Sequence, residues 1–366
     1  MGRRYGIALA MLLSSAAFIA AVPAQADSFA YVSNAASNDI SVFRLNGETG
    51  AMTPMGTVHF VGVDKPGSST PLAVSPDRRF LYAGVRSQPY QVQVFAIDAA
   101  TGKLSHLGSG PLADSMANIV TDRSGKYLLS ASYGGDKVAV NPIGPDGKVG
   151  PPQQVVATGK NAHSIQPSPD NRFAFATNLG SDRLVQFRLD AATGTLSEND
   201  PPSVTLPAKS GPRHITFHPD ARHLYLVDEL DAAVAVFAYD PKTGTLTEKQ
   251  RLPSLPADFK GEPWAADIHA TPDGRFLYIS ERRTSTIRSF RIDPESGLLT
   301  PLGSVATEEQ PRGFNIDPTG RFLAAVGEKS DGMTVYRIDG GSGALTTLAR
   351  YPTGKQPNWV EFVSVK

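Results

Sequence analysis

The sequence predicts an all-β fold, a seven-bladed β-propeller with four antiparallel strands per blade, and three observations predict it. First, an aromatic or ring-bearing residue follows a tight polar turn seven times, at Phe29, Phe80, Tyr127, Phe173, His223, Phe276 and Phe322, spaced 46–53 residues apart. A recurrence of about 40–50 residues built from short strands and turns marks propeller blades. Second, the turn itself recurs as Ser75-Pro76-Asp77, Ser168-Pro169-Asp170, His218-Pro219-Asp220, Thr271-Pro272-Asp273-Gly274 and Asp317-Pro318-Thr319-Gly320. Pro presets φ there, while Asp and Gly satisfy or relax the turn backbone. Third, the first repeat lacks an opening strand and the chain ends on a surplus one.

The elements follow in a fixed order. An apolar first strand (Leu72-Ala73-Val74, Ile215-Thr216-Phe217) leads into the turn, and a second strand returns from it (Phe80-Leu81-Tyr82, Phe276-Leu277-Tyr278). A third strand carries Val42-Phe43, Val94-Phe95, Phe187, Val236-Phe237, Phe290 or Val335-Tyr336. It ends at Thr49-Gly50, Thr101-Gly102, Asp146-Gly147, Thr193-Gly194, Thr243-Gly244, Ser296-Gly297 or Ser342-Gly343, and a fourth strand opens with Leu104, Leu196, Leu246, Leu299 or Leu345. Repeat one starts at its second strand, Phe29-Ala30-Tyr31-Val32, and Pro357 to Phe362 supplies the missing first strand. Pairing the two closes the ring and removes two open sheet edges. No linker or low-complexity tract interrupts residues 27–366, so one domain is expected although length alone suggests two.

Residues 1–26 stand apart. Arg3-Arg4, an apolar stretch from Ile7 to Val22 and Ala24-Gln25-Ala26 make a secretory leader with cleavage before Asp27. A periplasmic or secreted protein is therefore expected, with no membrane span after cleavage. The chain has no cysteine, which excludes disulfides and thiolate chemistry. Basic and acidic residues balance at 35 each, and losing the two leader arginines leaves an excess of two acids. Nothing forms a basic patch, so nucleic acid is not an expected partner.

The repeat also fixes which side chains meet. Strand one runs into the turn and strand two out of it, so the start of one and the end of the other share a rim. Strand starts fall at Thr70, Ala117, His163, Arg213, Ala266, Arg312 and Asn358; strand-two ends fall at Ala35, Arg86, Tyr133, Leu179, Glu229, Arg282 and Glu328. Four Arg, two Glu and one His are thus expected around one mouth of the channel, a concave and highly charged site. Arg79, Arg172, Arg222, Arg275 and Arg321 repeat at the opposite rim and read as structural. Among the histidines, His218 is expected as a turn cap and His223 as packing, and His59 and His106 at the surface. His214 and His218 have a helical metal-ligand spacing but lie on a strand and its turn, so no metal is expected there. His163 and His269 remain functional candidates.

At this point the residues resemble a known family. Gly211-Pro212-Arg213-His214, Val227-Asp228-Glu229-Leu230, the run Trp264 to Arg275 and Gln310-Pro311-Arg312-Gly313-Phe314-Asn315 closely resemble the propeller type of 6-phosphogluconolactonase, with Ala162-His163-Ser164 and Trp359 in support. The resemblance covers essentially all of residues 27–366 and extends to fungal 3-carboxymuconate lactonizing enzymes. It implies lactone-ring chemistry with no metal or cofactor, a small-molecule sugar lactone as partner, and His163, Arg213, Glu229 and Arg282 as the catalytic set. Arg312, Arg86, His269 and Asn315 are expected as substrate-binding residues. Either Glu229 or His163 could take a proton from water, with the arginines on the carbonyl. The leader departs from the family's cytoplasmic habit and favours unphosphorylated glucono-1,5-lactone over the 6-phosphate. Two alternatives stay open: a binding or scaffold propeller, since Tyr31-Val32-Ser33-Asn34 also resembles YVTN-type surface repeats, and a muconolactone cycloisomerase. A monomer or weak dimer is expected.

Overall fold

The computed structural model describes residues 1–2, 27–65 and 67–364. The expected leader therefore lies outside the described residues apart from Met1 and Gly2. Twenty-eight strands form seven antiparallel four-stranded sheets, and the 3-10 turn Leu179–Ser181 is the single helical element among the described residues. Blade one joins both ends of the chain: β28 (Pro357–Ser364), β1 (Ser28–Asn34), β2 (Asp39–Leu45) and β3 (Met52–His59) lie in that order. Phe29 pairs with Val363 and Ser33 with Trp359, which is the closure that the mismatched ends predict.

Blades two to seven each take four consecutive strands. The first strands are β4 (Leu72–Val74), β8 (Met116–Thr121), β12 (Ala162–Pro167), β16 (Pro212–Phe217), β20 (Ala265–Ala270) and β24 (Pro311–Ile316). Second strands such as β17 (His223–Asp228) and β21 (Phe276–Glu281) are buried along their whole length. They face a neighbouring blade on each side. In β1, Phe29 and Tyr31 pack toward blade two while Ala30 and Val32 pack toward blade seven. The core is accordingly divided into seven apolar clusters, one at each junction between adjacent blades. Burial of both faces is why these strands read as apolar runs and not as an alternation.

The repeated aromatic and the repeated glycine prove to be one device. The aromatic of each blade lies on the glycine of the next blade's third turn: Phe29 on Gly102, Phe80 on Gly147, Tyr127 on Gly194, Phe173 on Gly244, His223 on Gly297, Phe276 on Gly343 and Phe322 on Gly50. A Cβ placed on Gly244 would come within 2.1 Å of Phe173 Cδ1, and its φ of +70° also suits glycine. The rim arginines finish this contact from outside. Arg79, Arg172, Arg275 and Arg321 lie over the rings of Phe80, Phe173, Phe276 and Phe322, at 4.9–5.8 Å from the centroids. Arg172 and Arg275 also hold the turn carboxylates of Asp170 and Asp273. This rim is structural.

Candidate active site

At the other rim, first strands bulge. Pairing skips Ala117, His163, Arg213, Arg312 and Asn358, and between Ala265 and Ile268 it skips Ala266 and Asp267. A bulge leaves its extra residue unpaired and re-aims the side chain. Six of the seven strand starts expected at the mouth, all but Thr70, are therefore residues freed from the ladder.

The mouth is built around Glu229. Its Oε2 accepts from Arg213 Nε at 2.9 Å and from Arg282 Nη2 at 2.7 Å, joining blades five and six. Arg213 is 1% exposed and also donates to the Ala266 carbonyl. Arg282 donates to the carbonyls of Trp264 and Ala265, and its guanidinium lies 4.0 Å from the Trp264 ring centroid. Five-donor guanidiniums suit such a web of fixed acceptors. Burial and then the Arg282 charge lower Arg213 to about 9, so it stays cationic at neutral pH. Burial works to raise Glu229, but Arg282 and Arg213 together outweigh it and hold the carboxyl below its ordinary value.

His163 is the neutral member. Burial first, then the charges of Arg213, His214, Arg312 and Arg282, push it well below the ordinary histidine value. Its Nδ1 is buried and has no hydrogen-bond partner among the described residues. Tyr133 packs edge-on against the ring at 5.8 Å, and the charges of Glu229, Arg213 and Arg282 all bear on the phenol. On the far side of the mouth, Arg312 pairs with Glu328 at 3.1 Å and donates to the Ser68 carbonyl. Among the described residues, Arg86 is held by the hydroxyls of Ser69 and Ser115 alone. Burial and the Arg312 charge lower it to about 10. Four guanidiniums against two carboxylates leave these six side chains with two positive charges in excess.

The two remaining expected residues lie deeper. His269 contacts Asp267 at 3.3 Å and packs on Phe314. Asn315 donates to the Val360 carbonyl and so ties blade seven to the closing strand. Both sit around the channel below the mouth and not beside Glu229. A cavity of about 450 Å³ runs there, from Pro76 and Arg123 at the turn rim up to His214, Asp267 and Trp359. Between cavity and mouth, the ring of His214 meets His163 edge-on at 5.2 Å and lies tilted against Trp359 at 5.6 Å. His214 Nδ1 lies 2.8 Å from Asp267 Oδ1, and burial followed by the Arg213 charge lowers it to about 4. The sequence reading missed Tyr133, Trp264, His214 and Asp267 as parts of the site. Tyr133 and Trp264 had a signal, since one is a strand-two end and the other opens the run most like the family.

A seven-bladed ring with a buried Arg–Glu–Arg triad and a neutral imidazole at one mouth is the frame of an enzyme acting on a small anionic or polarised substrate. The sequence matches the family described as "Lactonase, 7-bladed beta-propeller" over residues 29–362. The chain belongs to that family and is a lactone-hydrolysing enzyme. It is 43% identical over 287 residues to 6-phosphogluconolactonases of Pectobacterium carotovorum and Serratia proteamaculans, covering 78% of this chain and 84% of each relative. Among solved structures, the periplasmic gluconolactonase of Pseudomonas aeruginosa superposes with a TM-score of 0.85 at 29% identity, covering 93% of this chain and 100% of that one. A putative 6-phosphogluconolactonase of Bacteroides fragilis gives 0.84 at 26% identity, covering 93% and 99%.

Proposed function

We propose that the protein hydrolyses glucono-1,5-lactone in the periplasm, with His163 as general base. The carrying observation is a neutral imidazole at the mouth, beside two guanidiniums that Glu229 holds fixed. In this mechanism His163 takes a proton from water as the water oxygen bonds to the lactone carbonyl carbon. Arg213 and Arg282 stabilise the oxygen that gains charge, a role in which one donor is worth about 3–4 kcal/mol. The ring C–O bond then breaks, and the imidazolium returns its proton to the leaving oxygen, giving the aldonic acid. Glu229 already serves both guanidiniums through one oxygen, so its role is to fix them, which leaves the base role to His163.

The choice of unphosphorylated substrate is supported by the leader expected at residues 1–26 and by likeness to a periplasmic gluconolactonase. Against it stand the curated relatives, which are 6-phosphogluconolactonases, and the charge surplus at Arg86 and Arg312. The deciding measurement is kcat/KM on gluconolactone and on its 6-phosphate, corrected for spontaneous ring opening. Turnover of the unphosphorylated lactone at least as efficient as the phosphate is expected. A strong preference for the phosphate would overturn the substrate assignment and give Arg86 or Arg312 to the phosphoryl group.

A further inference from the structure

We propose that His218, Asp220 and His223 form a zinc site at the structural rim, in the turn between β16 and β17 of blade five. It lies at the rim opposite Glu229 and is independent of lactone hydrolysis.

Blade five departs twice from the repeat, and both departures are to histidine. Where other blades carry Ser75, Ser168 or Thr271 in the turn, this one has His218; where six blades carry Phe or Tyr, it has His223. In those three turns the hydroxyl donates to the following aspartate at 2.6 Å, so a proton lies between two oxygens. The histidine cannot reproduce that in its neutral form. His218 Nε2 lies 2.9 Å from the Gly274 carbonyl, which only accepts, so the ring proton belongs on Nε2. Nδ1 then faces Asp220 Oδ1 at 2.8 Å with a lone pair, its one local donor being the Asp220 amide at 3.1 Å. His223 Nδ1 lies 3.2 Å from Asp220 Oδ2. Two imidazole nitrogens and a carboxylate oxygen thus fall within 4.8 Å of one another, the one such group among the described residues.

Electron-rich atoms gathered in this way call for a cation between them. Two nitrogens and one oxygen make a donor set that zinc accepts. Metal–ligand lengths of about 2.0–2.1 Å put neighbouring tetrahedral ligands about 3.3 Å apart, so the nitrogen–oxygen spacings of 2.8 and 3.2 Å need to open by tenths of an ångström. A ligating histidine commonly gives its other N–H to a backbone carbonyl, as His218 does to Gly274. The histidine side chains are 10% exposed and Asp220 18%, which leaves the metal's fourth position open to water. Arg222 holds Asp220 Oδ2 at 3.0 Å; its side chain is 60% exposed and free to swing into solvent.

The test uses untagged full-length protein stripped with chelator, titrated with zinc chloride near pH 7.5 by calorimetry and followed by thermal melting. One zinc per chain and a raised Tm are expected. His223→Phe and His218→Ser restore residues that other blades carry, so both should fold. Each should weaken zinc binding at least about tenfold and abolish the Tm response, with lactone turnover unchanged. Absence of saturable binding, or equal binding by His223→Phe, would overturn the proposal. So would an apo Tm that rises on acidification, is lost in His223→Phe and ignores zinc, since the cation would then be a proton.

Discussion

Glu229 Oε2 accepts from two guanidiniums at once, so removing either arginine takes one cation from the mouth and leaves the carboxylate with one of its two partners. We therefore expect Arg213→Ala and Arg282→Ala each to lower kcat by about 10²–10³. Arg275→Ala, paired with Asp273 in a turn at the opposite rim, should stay near wild type. Equal inactivation of a folded Arg275→Ala protein would place the functional mouth at the wrong end. The acid side of the pH profile is a second check. His163 is held well below 6.5, so it remains neutral, and competent as a base, below that pH. The fall in kcat/KM on acidification should come well under pH 6.5, and an inflection at or above 6.5 would remove His163 from the base role. The same shift has a stability consequence of fixed sign. The unfolded chain binds a proton at His163 below about 6.5 that the fold does not, so this group destabilises the fold as pH falls through that window and is silent above it. Strand register alone made Arg213, Glu229 and Arg282 legible in the sequence, since it specifies a rim. It did not make Trp264 on Arg282 or Asp267 on His214 legible, because those contacts depend on side-chain direction and on the next blade.

Between single residues and the ring stands the seam where one blade meets the next. Spacing revealed that an aromatic and a turn glycine each recur. It did not reveal that they touch, because partners such as Phe173 and Gly244 lie about 70 residues apart in sequence. Gly244→Ala carries two costs, a left-handed backbone and a Cβ driven into Phe173. Gly62→Ala carries the first alone: its φ is +66° and nothing lies within 4 Å of a built Cβ. Chemical denaturation should therefore show Gly244→Ala less stable than Gly62→Ala by about 1–3 kcal/mol, the ordinary cost of overpacking. Matching losses would mean that the seam yields and the glycine serves its turn only. The bulges at Arg213 and Arg312 were equally hidden, since any residue type can occupy a bulge and hydrophobic pattern does not mark it.

Closure ties the two ends of the chain to the chemistry. β28 contributes more than an edge to β1: Asn358 Oδ1 accepts the Thr70 amide of blade two, and Asn315 of blade seven donates to Val360. Trp359 packs at a tilt against His214, whose ring packs in turn edge-on against His163. A chain ending before Pro357 would expose the β1 ladder and strip apolar cover from Phe29 and Ala30, whose clusters include Val363 and Val360. It should lose stability severely, with aggregation through the opened edges. Trp359→Leu is the sharper probe, because it keeps the backbone pairing and removes the ring beneath His214. We expect such a protein to fold with a modestly lower Tm but to lose turnover, since His214 and then His163 lose the surface that sets their orientation. Full activity in Trp359→Leu would show that the closing strand serves the ring alone. Activity lost together with all cooperative unfolding would show that the tryptophan is needed for closure itself and not for orienting His214.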